Sequence, residues 1–185
     1  MKNLVNYALS YAEHGFSVIP INRKEKRPLI KFANRPALTK AEIRELWKKY
    51  PLANIALKTE DFFVVDVDRH GDVDGMKSIT DLHHNEWFQN TLCEKTAHNG
   101  VHFYFQKPID KSITQNIGFL PGVDIKAHEN NYVVVAPSTI NGKDYKWLNH
   151  KTIAPVPKGL LELIISKSKE LKPHGNSKMA SYSVS

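Results

Sequence analysis

A single cysteine, Cys93, stands in a chain of 185 residues. That excludes an internal disulfide, and no His/Cys set has the spacing of zinc ligands. The apolar and strand-like neighbours of Cys93 mark it as a buried thiol. No apolar run approaches the roughly 20 residues that cross a bilayer as a helix. The first residues lack the basic, then apolar, then small-residue order of a secretion signal. They read instead as an amphipathic helix of the mature fold, so a cytoplasmic location is expected. Internal repeats are absent, as are the Walker phosphate loop, the dinucleotide glycine fingerprint and the Gly-x-Ser-x-Gly elbow. The hydrophobic share of 41% and charged share of 24% are close to the averages of soluble globular proteins, and nothing in them demands a fibre or disorder.

What is present is an excess of positive charge, formally +7, which favours a polyanionic partner. Arg23, Lys24, Lys26, Arg27 and Lys31 cluster in one loop-like stretch, whereas the central region holds most of the acids. Leu4, Tyr7, Ala8, Tyr11 and Ala12 recur at helical spacing before Gly15, a natural helix stop. A strand over 16–21 follows, and Thr39 with Glu42 forms a capping box for a helix over 40–49 whose apolar face carries Ile43, Leu46 and Trp47. Strands are predicted at 54–58 and 62–67, joined by a short Thr-Glu-Asp turn, then a helix at 76–84 with His83 and His84 on its surface. A hairpin over 91–96 and 101–106 turns at His98-Asn99-Gly100, and strands follow at 122–126, 131–136 and 144–148. A last helix covers about 158–171. Helix–strand units followed by a mostly antiparallel set argue for an α/β or α+β domain with one main core. The expected organisation is a domain over 1–165 and a polar, disordered tail or linker over 166–185.

The segment Phe62-Phe63-Val64-Val65-Asp66-Val67-Asp68 is the most informative. Strand side chains alternate faces, so Asp66 and Asp68 point the same way. Two like charges at the end of a buried strand repel and are costly to desolvate, and a divalent cation relieves both. Hard oxygen ligands suit magnesium or manganese. A strand that simply ends in solvent gives the same pattern. Asp66, Asp68 and Gly71 also fall at EF-hand positions, but His70 and Lys77 stand where calcium ligands belong, and the flank is a strand.

In 96–105, Phe103 and Phe105 are expected to enter the core, turning His102 and Tyr104 to the other face. A histidine beginning a strand after Asn-Gly is well placed to meet a phosphate, and equally well a structural residue. In Gly122-Val123-Asp124-Ile125-Lys126, Asp124 and Lys126 share a face. One acid for a metal and one ammonium for a phosphate, or a plain surface ion pair, both account for it.

The order of these signals resembles the prim-pol domain of bifunctional DNA primase/polymerases, in the archaeo-eukaryotic primase superfamily, of the phage, plasmid and mobile-element type. The opening helix and Gly15, a strand ending near Pro20, Lys26-Arg27-Pro28, Trp47, and Pro51-Leu52-Ala53-Asn54-Ile55 match its first elements. Asp66-Val67-Asp68, the stretch 96–102, Val123-Asp124-Ile125-Lys126, Pro137-Ser138 and Tyr145-x-Trp147 match the rest, so that residues 5–160 are covered. The resemblance implies an N-terminal α/β unit packed on an RRM-like, mostly antiparallel sheet, with a catalytic cleft between them. It implies that Asp66, Asp68 and Asp124 hold Mg2+ or Mn2+ in a two-metal site. His102 would meet the triphosphate of the incoming nucleotide, with Lys126 a second contact. The family's turn is often Ser-Gly-Gly where this chain has His98-Asn99-Gly100, so Asn99 and the Gly100 backbone would replace the serine. The implied activity is template-directed nucleotidyl transfer in replication initiation on single-stranded DNA, using nucleoside triphosphates, with the 23–31 loop gripping phosphates. A replicative helicase, fused or separate, is an implied partner. The contrasting reading is a non-catalytic single-stranded-DNA-binding or initiator module with the same fold.

Overall fold

The computed structural model describes residues 2–170. In chain order the elements are α1 (Val5–Glu13), β1 (Val18–Ile21), α2 (Lys40–Lys49), β2 (Asn54–Lys58), β3 (Phe62–Val67), β4 (Arg69–His70), β5 (Val73–Asp74) and α3 (Gly75–Asp81). There follow β6 (Cys93–Lys95), β7 (Val101–Gln106), β8 (Asn116–Leu120), β9 (Val123–Lys126), β10 (Tyr132–Val134), β11 (Thr139–Ile140), β12 (Lys143–Asp144), β13 (Lys146–Trp147), β14 (Ala154–Pro155) and α4 (Lys158–Glu170). The class is mixed α+β, as expected. Of the stretch expected as a tail, residues 166–170 continue α4, and 171–185 lie outside the described residues.

Two sheets organise the chain. One has the order β1-β2-β10, and the larger runs β13-β6-β7-β3-β9-β8, with β14 pairing β7. Every pairing is antiparallel except that of β14 with β7. The Thr59-Glu60-Asp61 turn does not close a hairpin: β2 and β3 enter different sheets. All five residues of β2 are buried, as are all of β3 except half-buried Asp66, because each strand is covered on both faces. Alternation therefore carried no signal for which sheet each would join.

The expected single core is instead divided by the larger sheet. Phe63, Val65, Val67, Phe103, Phe105, Val123 and Ile125 fill one face against Ile79 of α3 and Leu160 and Ile164 of α4. Phe62, Val64 and Tyr104 on the opposite face meet Leu4 and Ala8, Ile43 and Trp47, and Ile55 and Leu57 of the smaller sheet. Tyr104, expected merely to turn away from the core, is thus fully buried in a second one. A third cluster, including Ile19, Ile21, Ala56 and Val134, covers the far side of the smaller sheet. The capping box holds α2 in place: Thr39 Oγ1 accepts from Glu42 N–H and Glu42 Oε1 accepts from Thr39 N–H.

Polar clamps hold the stretch 136–139 that follows β10 against β2 and α1. Asn54 accepts from Thr139 N–H at 3.1 Å and donates to its carbonyl at 2.9 Å. Ser138 Oγ accepts from Ile55 N–H at 2.9 Å, next to the cis Ala136–Pro137 peptide. Tyr11 of α1 donates to the Ala136 carbonyl at 2.5 Å and accepts from the Trp147 indole at 3.1 Å.

Asp68 is placed by backbone alone. Its N–H donates to Gly122 O and its carbonyl accepts from Gly75 N–H, both at 2.8 Å. Gly122 has φ +72° in the Pro121–Gly122 turn between β8 and β9, and a Cβ on Gly75 would sit 2.2 Å from Gly122 O. Gly75→Ala should therefore cost about 2 kcal/mol through overpacking, lowering Tm by about 4–8 °C. Thermal melting checks this; an unchanged Tm would show that the close approach yields freely.

Candidate active site

Strand register assembles the site. Asp66 of β3 stands opposite His102 of β7 on one side and Asp124 of β9 on the other, and His102 stands opposite Glu94 of β6. Glu94, His102, Asp66 and Asp124 thus form a polar row across four strands. The row lies on the same sheet face as Val64 and Tyr104, where that face approaches the smaller sheet. Asp68 follows the end of β3, and carboxylate oxygens of Asp66, Asp68 and Asp124 all lie within 4.8 Å of one another. Asp124 is steadied by the irregular strand β8, whose pairing shifts register between Asn116 and Leu120. Gly118 in that stretch donates its N–H to Asp124 Oδ1 at 2.8 Å.

The electrostatics follow from this crowding. Burial raises Asp68, and the Asp66 and Asp124 charges push it further above the usual carboxylate range. Burial works the same way on Asp66, but the hydrogen bond and charge of His102, then Lys126 and Lys26, outweigh it and hold Asp66 low. His102 is 6% exposed. Its Nε2 is 3.2 Å from Asp66 Oδ1 and its Nδ1 3.0 Å from Glu94 Oε1. A carboxylate only accepts, so both ring nitrogens carry hydrogen. Burial opposes that charge, yet the bonds to Asp66 and Glu94 prevail and raise the imidazole to about 9.

The donor set fits a hard divalent cation: three clustered carboxylates, half-buried, one of them kept uncomfortable as an anion by its neighbours. Lys126 lies close enough to act on both Asp66 and Asp68. The turn residues take a different position. Asn99, with φ +63°, and Gly100 line a hollow of about 590 Å3 shared with Arg69, His70 and Lys95. Gly100 is pressed against β3, where a Cβ would lie 2.4 Å from Val67 O, and its N–H donates to Thr96 Oγ1 at 2.9 Å.

The basic loop does not form one patch. Lys26 reaches toward Asp66 and His98. Lys31 lines a groove against α2, and Arg23 and Lys24 line another with Lys49 and Tyr50. His84 stacks on Trp87 with ring centroids 4.0 Å apart, and Cys93 is a buried free thiol.

Sequence reasoning passed over Glu94 and strand β8. The observed register, Lys95 with Val101 and Glu94 with His102, spans a five-residue connection over 96–100. Strands ending at 96 and starting at 101 would have set Lys95 opposite the histidine, so the facing carboxylate was hidden by a one-residue slip. Pro121-Gly122 was the missed signal for β8, as a turn needing φ > 0 at its second central residue.

The Prim-Pol family model, described as bifunctional DNA primase/polymerase, N-terminal, matches residues 8–159. No curated protein matches the chain.

Because Asp68 is raised in the folded protein, the stability it contributes is present at low pH and lost as pH rises through its folded pKa. At neutral pH without metal, its negative charge is a net cost. Asp68→Asn should therefore raise Tm in metal-free buffer at pH 7; if the cluster takes Mn2+, the wild type should gain Tm on adding it and the variant should not. A lower metal-free Tm for the variant would contradict the crowding argument.

Proposed function

The chain belongs to the bifunctional DNA primase/polymerase family, matching its N-terminal domain, and on that premise we propose that it carries out metal-dependent, template-directed nucleotidyl transfer, as in replication initiation. The observation that carries this reading is the convergence of Asp66, Asp68 and Asp124 from β3, the end of β3 and β9, with ligand oxygens within 4.8 Å of one another. Metal ions held by these carboxylates supply Lewis-acid stabilisation of charge on the reacting phosphates.

The other groups have roles that follow from their charge and place. His102 and Lys126 present positive charge beside the acids, where a nucleoside triphosphate would bring its phosphates. Burial and then the charges of Lys26, Lys143 and His70 hold the His98 imidazole below its ordinary value, so the positive charge on this side of the acidic centre is that of the two lysines. In the reaction, the primer 3′-oxygen bonds to the α-phosphorus and the bond to the bridging oxygen of the β-phosphate breaks. Pyrophosphate leaves, and the hydroxyl proton passes to solvent. Aromatics on a sheet face with a basic groove suffice for a binding module, but DNA binding alone gives no reason to gather three carboxylates where phosphates are to sit. Exposed Lys24, Arg27 and Lys31 are assigned to template phosphates.

Extension of a labelled primer on a DNA template with Mg2+ or Mn2+ tests the proposal. Wild type should extend, and the Asp66→Asn, Asp68→Asn double variant should lose extension by more than about 1,000-fold, as expected when charge stabilisation is removed from a reacting phosphate. DNA binding by both proteins without extension by either would establish the binding-module alternative. For the basic loop, neutralising Lys24, Arg27 and Lys31 should flatten the salt dependence of single-strand binding by about 0.7 in log–log slope for each phosphate no longer neutralised. An unchanged slope would remove the loop from the DNA path.

A further inference from the structure

Glu94 is a buried ionisable residue that the reaction above does not use. It is 0% exposed and sits one strand away from His102, two from Asp66. Its Oε1 meets His102 Nδ1 and accepts from the Tyr104 hydroxyl, each at 3.0 Å. Its Oε2 accepts from Ala136 N–H at 2.8 Å. The acceptor is itself immobilised. Tyr104 is locked in the core, stacked on Phe62 with centroids 5.5 Å apart. The Ala136 peptide is held from its other side by Tyr11, which Trp147 holds in turn.

An apolar residue would pack a buried strand without the cost of desolvating a carboxylate. The acid at 94 therefore calls for an account beyond packing, and its partners supply one. An imidazole has two nitrogens, and the partner of one fixes the direction of the other. With Nδ1 on a carboxylate that cannot move, the ring cannot turn about its last side-chain bond without leaving that nitrogen unpaired in a buried site. Nε2 is then directed at Asp66.

We propose that Glu94 is a positioning residue that fixes the His102 ring with Nε2 on Asp66, so that the incoming triphosphate meets a positive charge already held in place beside the acidic centre. This rests on the reading of His102 as a triphosphate contact. Tyr104 and Ala136 anchor the carboxylate and, with Glu94, make a three-part support behind the histidine. A carboxylate behind a histidine plays the same orienting part behind metal-bound and catalytic imidazoles.

The test compares Glu94→Gln, His102→Ala and the double variant, each on a primed DNA template with Mn2+. The probe is a dATP analogue with a methylene group bridging its α and β phosphates. Glu94→Gln should weaken binding of the analogue by about tenfold, the lower range for removal of an orienting partner. It should raise KM for dATP more than it lowers kcat, and move the proton–nitrogen correlations of the His102 ring at fixed pH. In the His102→Ala background the same substitution should cost nothing further. Tyr104→Phe keeps the stacked ring and deletes one anchor, so it should give a smaller loss of affinity that also vanishes without His102; it decides the matter if Glu94→Gln fails to fold. A full loss of affinity that persists without His102, or a ring spectrum and affinity like wild type, overturns the proposal and leaves Glu94 as a tie between Tyr104 and Ala136. If the wild type binds no analogue, the triphosphate reading falls, while the ring spectrum still reports whether Glu94 orients His102.

Discussion

Four ionisable side chains, Glu94, His102, Asp66 and Asp124, lie in register across four neighbouring strands, with Asp68 beside them. Three of the first four are acids, and a row of acids next to two apolar clusters is unstable unless countercharge is supplied. Much of the structure answers that constraint. His102 takes a carboxylate on each ring nitrogen. Gly118 gives a backbone donor to Asp124, and Ala136 and Tyr104 give donors to Glu94. What is left uncompensated is the crowding around Asp68, at the end of the row away from Glu94.

That imbalance links the fold to the chemistry. Glu94 is satisfied by three partners and sealed from solvent, whereas the Asp66, Asp68 and Asp124 cluster is half-buried and lacks charge balance from His102 alone. A site of this kind costs stability in the empty protein and gains it when a cation binds. The clamps on the stretch 136–139, which follows β10, matter for the same reason. Asn54 on Thr139, Ser138 on Ile55 and Tyr11 on Ala136 hold the smaller sheet, α1 and the cis Ala136–Pro137 bend against the row, so Glu94 has a fixed support. Several of these clamp residues are the family-pattern residues that carry no chemistry of their own.

The sequence made the local features readable where a local cause existed. Thr39 and Glu42 announced the start of α2, the Asn-Gly turn announced the β6–β7 hairpin, and Asp66, Asp68 and Asp124 stood at strand ends with apolar neighbours. The partition into two sheets was hidden, because β2 and β3 are buried on both faces and nothing in their composition distinguishes their partners. Ribbons of two residues, such as β4–β5 and β11–β12, are too short for periodicity to register. Glu94 lay between these cases. The hairpin brought it near His102, but the exact pairing turned on one residue of turn length. Its burial depends on Tyr104 and Ala136, the latter brought over it by the smaller sheet's return at β10.

The central claim is that the three aspartates form the metal centre of a nucleotidyl-transfer site. Anomalous scattering from crystals grown with Mn2+ and a non-hydrolysable deoxynucleoside triphosphate tests it most directly. Manganese density at coordination distance, about 2.2 Å, from oxygens of Asp66, Asp68 and Asp124, with the triphosphate beside His102, is the predicted result. Manganese bound elsewhere, with the three carboxylates facing only water at saturating metal, would contradict it.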